Sequence, residues 1–171
     1  DVSWSRGLGD VYKRQLASVL MVRRGFDKED FARNHPGGEL GKQLALKVEN
    51  IMHPINDVAQ INNKDSISSC AKKMTDNPLG AALLLENGSL KGIVTEGDLR
   101  KSIASNLDLS NSIEPFINDN PISIHSSVSI LDAMKIMEDR SSKISCLPVV
   151  DSDGKCLGLL TIHDLYQTKL V

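Results

Sequence analysis

The stretch GIVTEGDL, residues 92–99, returns later in the chain as GLLTIHDL, residues 158–165. The two octapeptides align without a gap, with Gly first, Thr fourth, Asp seventh and Leu last. Ahead of them, Asn87-Gly88 falls on Asp153-Gly154, and both dipeptides predict type I′ hairpin turns because glycine accepts positive φ. The chain therefore contains an internal repeat, in which a β-hairpin leads into each octapeptide.

The two copies predict the same order of elements. The apolar runs AALLLE and CLPVV predict buried strands, and LKGIVT and CLGLLT predict their hairpin partners. Upstream, apolar residues at helical spacing predict one helix in each copy: Ile67, Cys70, Ala71 and Met74, then Ile130, Ala133, Met134 and Met137. Each copy is thus predicted as β-α-β-β-α. One copy cannot bury both faces of its small sheet, whereas two copies packed about a pseudo-twofold axis can.

The Thr and Asp of each octapeptide have two interpretations. Thr95 and Thr161 stand where strand gives way to helix, and Asp98 and Asp164 follow at the third helical position, as in a capping box with Asp in place of Glu. The same groups suit a ligand, because a helix N-terminus offers free N–H groups to an anion and a carboxylate accepts ribose hydroxyls. No cluster of basic residues flanks either motif, and the residues alone leave both interpretations open.

Two such copies, each ending in G-x-apolar-T-x-x-D-L, resemble a tandem pair of cystathionine-β-synthase (CBS) domains. The resemblance implies an α+β or α/β fold, with CBS domain 1 over residues 48–106 and CBS domain 2 over residues 107–171. Pairs of this kind are generally regulatory, and many bind adenine nucleotides between the repeats. It also implies that the matching residues contact phosphate and ribose: Thr95, Asp98, Thr161 and Asp164.

A second motif, RGFDKEDFARNHPGGELG, occupies residues 24–41. Asp27 is a suitable N-cap for a short helix, which must end before Pro36. From spacing alone, His35 is a polar residue capping that helix before a Pro-Gly-Gly turn.

The whole motif, however, resembles the C-terminal half of bacterial arabinose-5-phosphate isomerases. For a full-length parent enzyme, this resemblance favours a functional interpretation of His35 over a capping one. In that family a sugar isomerase (SIS) domain precedes the CBS pair, and the enzyme interconverts D-ribulose 5-phosphate and D-arabinose 5-phosphate for synthesis of the lipopolysaccharide or capsule sugar Kdo. The resemblance implies that residues 16–47 are the C-terminal remnant of an SIS domain. It also implies that His35 is catalytic and acts across a subunit boundary in a tetramer.

The family's other catalytic residues and its phosphate-binding loops have no counterpart here. We therefore expect this chain alone to be inactive. Residues 1–15 do not match the family, and we interpret them as a foreign leader.

Composition excludes several classes of protein. The 171 residues carry a net charge of −2, with no stripe of Lys and Arg, which argues against nucleic-acid binding. No apolar run has membrane-spanning length. The three cysteines show no CxxC spacing, which is typical of reduced thiols in a cytoplasmic protein.

The histidines do not indicate a metal site. His53 is interpreted as a local packing or capping residue and His125 as isolated, since neither has a second ligand at metal spacing. His163 lies inside the second octapeptide, where it is either a ligand contact or a surface residue without a function. We expect neither a metal nor a cofactor.

The expected partners are a sugar phosphate for the parent enzyme, other copies of the chain, and an adenine nucleotide or nucleotide sugar at the CBS pair. Two functions remain as alternatives to that of an isomerase part. The chain is a binding module that senses a nucleotide, or it is a scaffold for oligomerisation.

Overall fold

The computed structural model describes residues 46–168, a range that contains both copies of the repeat. The predictions made for residues 1–45, His35 among them, lie outside the described residues.

Within this range the chain forms seven strands and four helices. The strands are β1 (His53–Pro54), β2 (Ala59–Ile61), β3 (Ala81–Glu86), β4 (Ser89–Thr95), β5 (Ile124–His125), β6 (Cys146–Val150) and β7 (Cys156–Thr161). The helices are α1 (Ile67–Asp76), α2 (Glu96–Ala104), α3 (Ile130–Glu138) and α4 (Ile162–Gln167). The first repeat is β2-α1-β3-β4-α2 and the second is β5-α3-β6-β7-α4, so the predicted β-α-β-β-α order is confirmed. Within residues 46–168 no helix is long and apolar enough to cross a membrane.

Each repeat builds a small mixed sheet. In the first, β2 runs parallel to β3, which pairs antiparallel with β4. In the second, β5 runs parallel to β6, which pairs antiparallel with β7. The second sheet has an additional edge strand, β1, so its order is β1-β7-β6-β5.

The two hairpins differ in their turns. In the first, Asn87 and Gly88 have φ values of 52° and 81°, as a type I′ turn requires. In the second, only Gly154 has positive φ, and the predicted type I′ turn at Asp153-Gly154 was wrong. Asp151 explains the difference, because its carboxylate accepts hydrogen bonds from the backbone N–H groups of Asp153 and Lys155, both at 2.9 Å. This side chain closes a longer loop in which Gly154 supplies the left-handed residue.

Six of the eight residues predicted on the helical faces are buried in the cores, whereas Ala71 and Met134 are only half-buried. Ile67, Cys70 and Met74 of α1 are buried in the first repeat. The corresponding residues of α3, which are Ile130, Ala133 and Met137, are buried in the second. A third apolar cluster, which includes Leu83 of the first repeat and Leu159 of the second, joins the two.

Each repeat is preceded by a lead-in segment that packs on the other repeat. In the first lead-in, residues 47–54, Val48 is fully buried in the core of the second repeat, and its N–H donates to the carbonyl of Val128 at 2.9 Å. In the second lead-in, residues 113–118, Ile113 is fully buried in the core of the first repeat, and its N–H donates to the carbonyl of Asp65 at 2.9 Å. The two repeats are therefore interlocked.

Candidate functional site

A cleft of about 930 Å³ lies where the two repeats meet. It opens at the two junctions where strand gives way to helix, β4 to α2 and β7 to α4. Among its polar lining residues are Thr95, Glu96 and Arg100 at the first junction, Thr161, His163 and Asp164 at the second, and His53 and Lys143 from neighbouring segments. The cleft thus brings together one face of each octapeptide.

Both junctions are capping boxes, as predicted. The side chain of Thr161 accepts from the N–H of Asp164, whose carboxylate Oδ2 accepts from the N–H of Thr161 at 2.8 Å and from its hydroxyl at 2.7 Å. Thr95 and Asp98 repeat this arrangement at 3.1 and 2.7 Å. One oxygen of each aspartate, Oδ2, is therefore engaged within its own motif. The two motifs differ in the partner of the other oxygen, Oδ1.

The Oδ1 of Asp98 is held by its own helix. Lys101 Nζ, three residues on, donates to it at 3.0 Å. Burial alone would raise the pKa of Asp98, but the hydrogen bonds from Thr95 and Lys101 outweigh burial and lower that pKa. Asp98 does not line the cleft, so of the capping pair Thr95 and Asp98 only Thr95 reaches it.

The Oδ1 of Asp164 is held from outside its repeat. His53 Nε2 lies 3.1 Å from it, and the two residues are 111 positions apart in sequence. The side chain of His53 is 35% exposed and that of Asp164 is 13% exposed, and both line the cleft. This contact corrects the interpretation of His53 as a local packing or capping residue.

Sequence reasoning found no basic cluster beside the motifs, whereas the structure places two cationic side chains in the cleft. Arg100 comes from α2, within one turn and a half of Thr95. Lys143 comes from the loop before β6 and pairs with Glu138, which also accepts from the hydroxyl of Tyr166 at 3.1 Å. Lys143 was missed because nothing in the sequence brings that loop to the octapeptides.

No metal site emerges from the described part of the chain. Among residues 46–168, no three His, Cys, Asp or Glu residues are grouped closely enough to hold a metal ion. The cleft's thiol, Cys146, is buried, and its Sγ donates to the carbonyl of Leu79 at 3.1 Å. This bond joins the two repeats at the floor of the cleft.

The interlocked β-α-β-β-α repeats and their shared cleft define a tandem two-repeat module. The family model described as "CBS domain" matches residues 48–105 and 113–169, and the chain belongs to this family. The CBS domain pair of protein MJ0100, solved in complex with 5′-methylthioadenosine and S-adenosyl-L-methionine, is similar in fold. It aligns at 25% identity and a TM-score of 0.62, over 72% of this chain and 94% of that one.

The curated relatives extend the similarity beyond the CBS pair. Arabinose 5-phosphate isomerase KdsD of Pseudomonas aeruginosa is 39% identical over 94% of this chain and 48% of its own length. The KdsD of Francisella tularensis is 37% identical over 95% of this chain and 48% of its own length. The chain therefore spans about half the length of the curated relatives it matches.

Proposed function

We propose that this chain is the regulatory part of a sugar-phosphate isomerase that interconverts D-ribulose 5-phosphate and D-arabinose 5-phosphate in Kdo synthesis. Two relatives named as arabinose 5-phosphate isomerases align along nearly the whole chain. The residue 24–41 motif, which resembles the same family, supports the assignment. In this proposal residues 16–47 belong to a sugar isomerase domain, and the enzyme works in the cytoplasm as an oligomer, a tetramer by the resemblance.

His35 is the one residue of this chain to which we assign a catalytic role. Aldose–ketose isomerisation needs a base for the carbon-bound proton and a second group for the hydroxyl and carbonyl oxygens. Histidine suits the second task, because its pKa lies near neutrality. We expect the chain alone to show no turnover of ribulose 5-phosphate, whereas the full-length enzyme should lose most of its turnover on His35→Ala. Turnover by the chain alone that disappears in His35→Ala would contradict this.

The cleft is proposed to bind an adenine nucleoside or nucleotide. The observation that carries this is the position of Asp164, a carboxylate that lines the cleft with one oxygen directed away from its own capping box. That oxygen is suited to accept a ribose hydroxyl. Thr161 and Thr95 line the same cleft, and Arg100 supplies positive charge for a phosphate, with a second cation in Lys143, which pairs with Glu138. MJ0100 at 25% identity binds adenine nucleosides in its complex, which supports this class of ligand.

The two motifs are assigned different tasks. Asp98 does not line the cleft and its Oδ1 is bonded to Lys101, so we assign it to capping α2 rather than to the ligand. Calorimetric titration with AMP, ATP and 5′-methylthioadenosine tests this. Asp164→Asn should abolish the binding heat, and Asp98→Asn, the matched change in the other motif, should retain it.

A nucleotide sugar is the second candidate ligand, because the cleft of about 930 Å³ lies near the upper end of the volumes typical of small-molecule sites. A CMP-sugar in the same titration separates the two classes. Heat with the CMP-sugar and none with adenine ligands would favour feedback by a pathway product. No heat with any ligand would favour a CBS pair that serves only as an oligomerisation scaffold.

A further inference from the structure

The hydrogen bond between His53 and Asp164 occupies the carboxylate oxygen that the proposed ligand needs. Asp164 Oδ2 is already bonded to the N–H and hydroxyl of Thr161, so Oδ1 is the oxygen left for a ligand. In the described chain His53 Nε2 lies 3.1 Å from Oδ1. A hydroxyl that donates to Oδ1 must therefore displace His53 or share the oxygen with it.

The backbone of His53 cannot withdraw to make room. His53 pairs with Leu159 in the β1–β7 ladder, and its carbonyl oxygen packs directly against Gly158. The buried Val48 anchors the same lead-in on the second repeat. Only the imidazole, which is 35% exposed, is free to turn away. A side-chain rotation on a fixed backbone is thus the movement that frees Asp164.

The first motif offers no equivalent arrangement. There, Oδ1 of Asp98 bonds to Lys101, a surface side chain of the same helix that is 74% exposed. The partner of Asp164 comes instead from the first lead-in, a segment that the first repeat's own fold does not use. The asymmetry indicates a role for His53 at the second motif alone.

We propose that His53 competes with the ligand for Asp164 and so acts as a positioning residue that sets the affinity and selectivity of the cleft. This inference rests on the proposed nucleotide function. A ligand with ribose hydroxyls replaces the hydrogen bond that it breaks, whereas a ligand without them gains nothing at Asp164. His53 therefore weakens the binding of every ribose ligand by the strength of its own bond to the carboxylate.

Isothermal titration calorimetry with AMP and with 2′,3′-dideoxyadenosine monophosphate tests the proposal. His53→Ala should bind AMP about tenfold more tightly than the unmodified chain, the factor expected for one hydrogen bond to a charged group. The dideoxy nucleotide should show no such gain. His53→Gln, whose amide can still donate to Asp164, should restore the weaker affinity for AMP. His125→Ala, a histidine outside the cleft that bonds to Ser127, is the matched control and should change nothing.

The outcomes separate this inference from the proposed function. If the unmodified chain binds AMP and His53→Ala binds it equally or less tightly, competition by His53 is wrong but the nucleotide site stands. If only His53→Ala binds, the competition is stronger than we infer and the proposal is supported. If neither binds AMP, ATP or 5′-methylthioadenosine at millimolar concentration, while circular dichroism shows both folded, the inference and the adenine-nucleotide function both fail.

Discussion

A β-carbon at Gly158 would lie 2.0 Å from the carbonyl oxygen of His53, so strand β7 and the first lead-in approach each other with no space for a side chain. Gly92 holds the corresponding place in the first repeat. A β-carbon there would meet Ile117 Cγ2 at 2.5 Å and the carbonyl oxygen of Asn118 at 3.1 Å. The first glycine of each octapeptide therefore marks where the opposite lead-in crosses the strand.

Gly158→Ala should destabilise the chain by at least about 2–3 kcal/mol, because the methyl group meets fixed backbone that must shift. Gly92→Ala should cost less, since its nearest obstacle is the Cγ2 methyl group of Ile117 at 2.5 Å and the nearest backbone atom is 3.1 Å away rather than 2.0 Å. Urea denaturation followed by circular dichroism measures both. The matched control is Gly97→Ala in α2, where the nearest neighbouring atom is 3.5 Å away, and a gain of about 0.4–1 kcal/mol is expected. Equal losses of unfolding free energy in the two variants would contradict the closer backbone approach at Gly158 than at Gly92.

Thr161→Ala should lower the free energy of unfolding by about 0.5–2 kcal/mol, because it removes the side-chain oxygen that caps α4. Thr161→Ser keeps that oxygen and should recover most of the loss. Thr95→Ala and Thr95→Ser form the same pair at the start of α2. Thermal unfolding of the four variants provides the comparison, and a serine no better than alanine would show that the threonine methyl group, rather than the cap, carries the stability.

Asp65 should make the stability depend on acid pH. Burial alone would raise the pKa of Asp65, but hydrogen bonds from Lys73 Nζ at 2.7 Å, the N–H of Asn62 at 2.8 Å and Ser69 Oγ at 3.1 Å outweigh it and lower that pKa. A lowered pKa favours the folded state above the ordinary value of 3.8, and this contribution is lost as pH falls through the folded-state pKa.

Asp65→Asn should therefore be less stable than the unmodified chain by about 1–3 kcal/mol at pH 7, and the difference should shrink below about pH 4. Urea denaturation at pH 3, 4, 5 and 7 measures it. Asp119→Asn changes an exposed carboxylate and is the control, with parallel curves expected. A difference that stays constant down to pH 3 would show that the charge of Asp65 is not what stabilises the fold.

The three cysteines should react with iodoacetamide only when the chain unfolds. Burial, together with the nearby charge of Asp65, raises the pKa of the Cys70 thiol to about 11. Burial also raises the pKa values of Cys146 and Cys156. Because the thiolate is the reactive form, alkylation at pH 7.5 should be negligible without urea and complete in its presence, as intact mass would show. Rapid labelling of Cys70 in the folded chain would contradict its burial.

The local features of the fold were predictable, because each is decided by residues close together in sequence. The spacing of Ile67, Cys70 and Met74 predicted the buried face of α1, and Thr161 with Asp164 predicted the capping box of α4. The turn at Asp153-Gly154 was predicted wrongly because the Asp151 side chain competes with the backbone for the loop's N–H groups.

The long-range features were not predictable in the same way. The pairing of His53 with Asp164 depends on the exchange of the lead-in segments, and periodicity does not tell which of two similar cores a short apolar segment will enter. Lys143 lies in the cleft because of the path of its loop, and no local sequence pattern predicts that path. The sequence therefore indicated the octapeptides as the candidate site. Only the structure showed that Lys143 lines the cleft and that His53 contacts Asp164.

The exchanged lead-ins have a consequence for how such a chain could have arisen. A single-copy ancestor with the same exchange could complete its core only by pairing with a second molecule, each giving its lead-in to the other. Gene duplication and fusion would turn that dimer into one chain, in which the missing piece is always present at a high effective concentration. A cut between the two copies would reverse the step, leaving two halves that become whole only by reassociating, as in a split reporter protein.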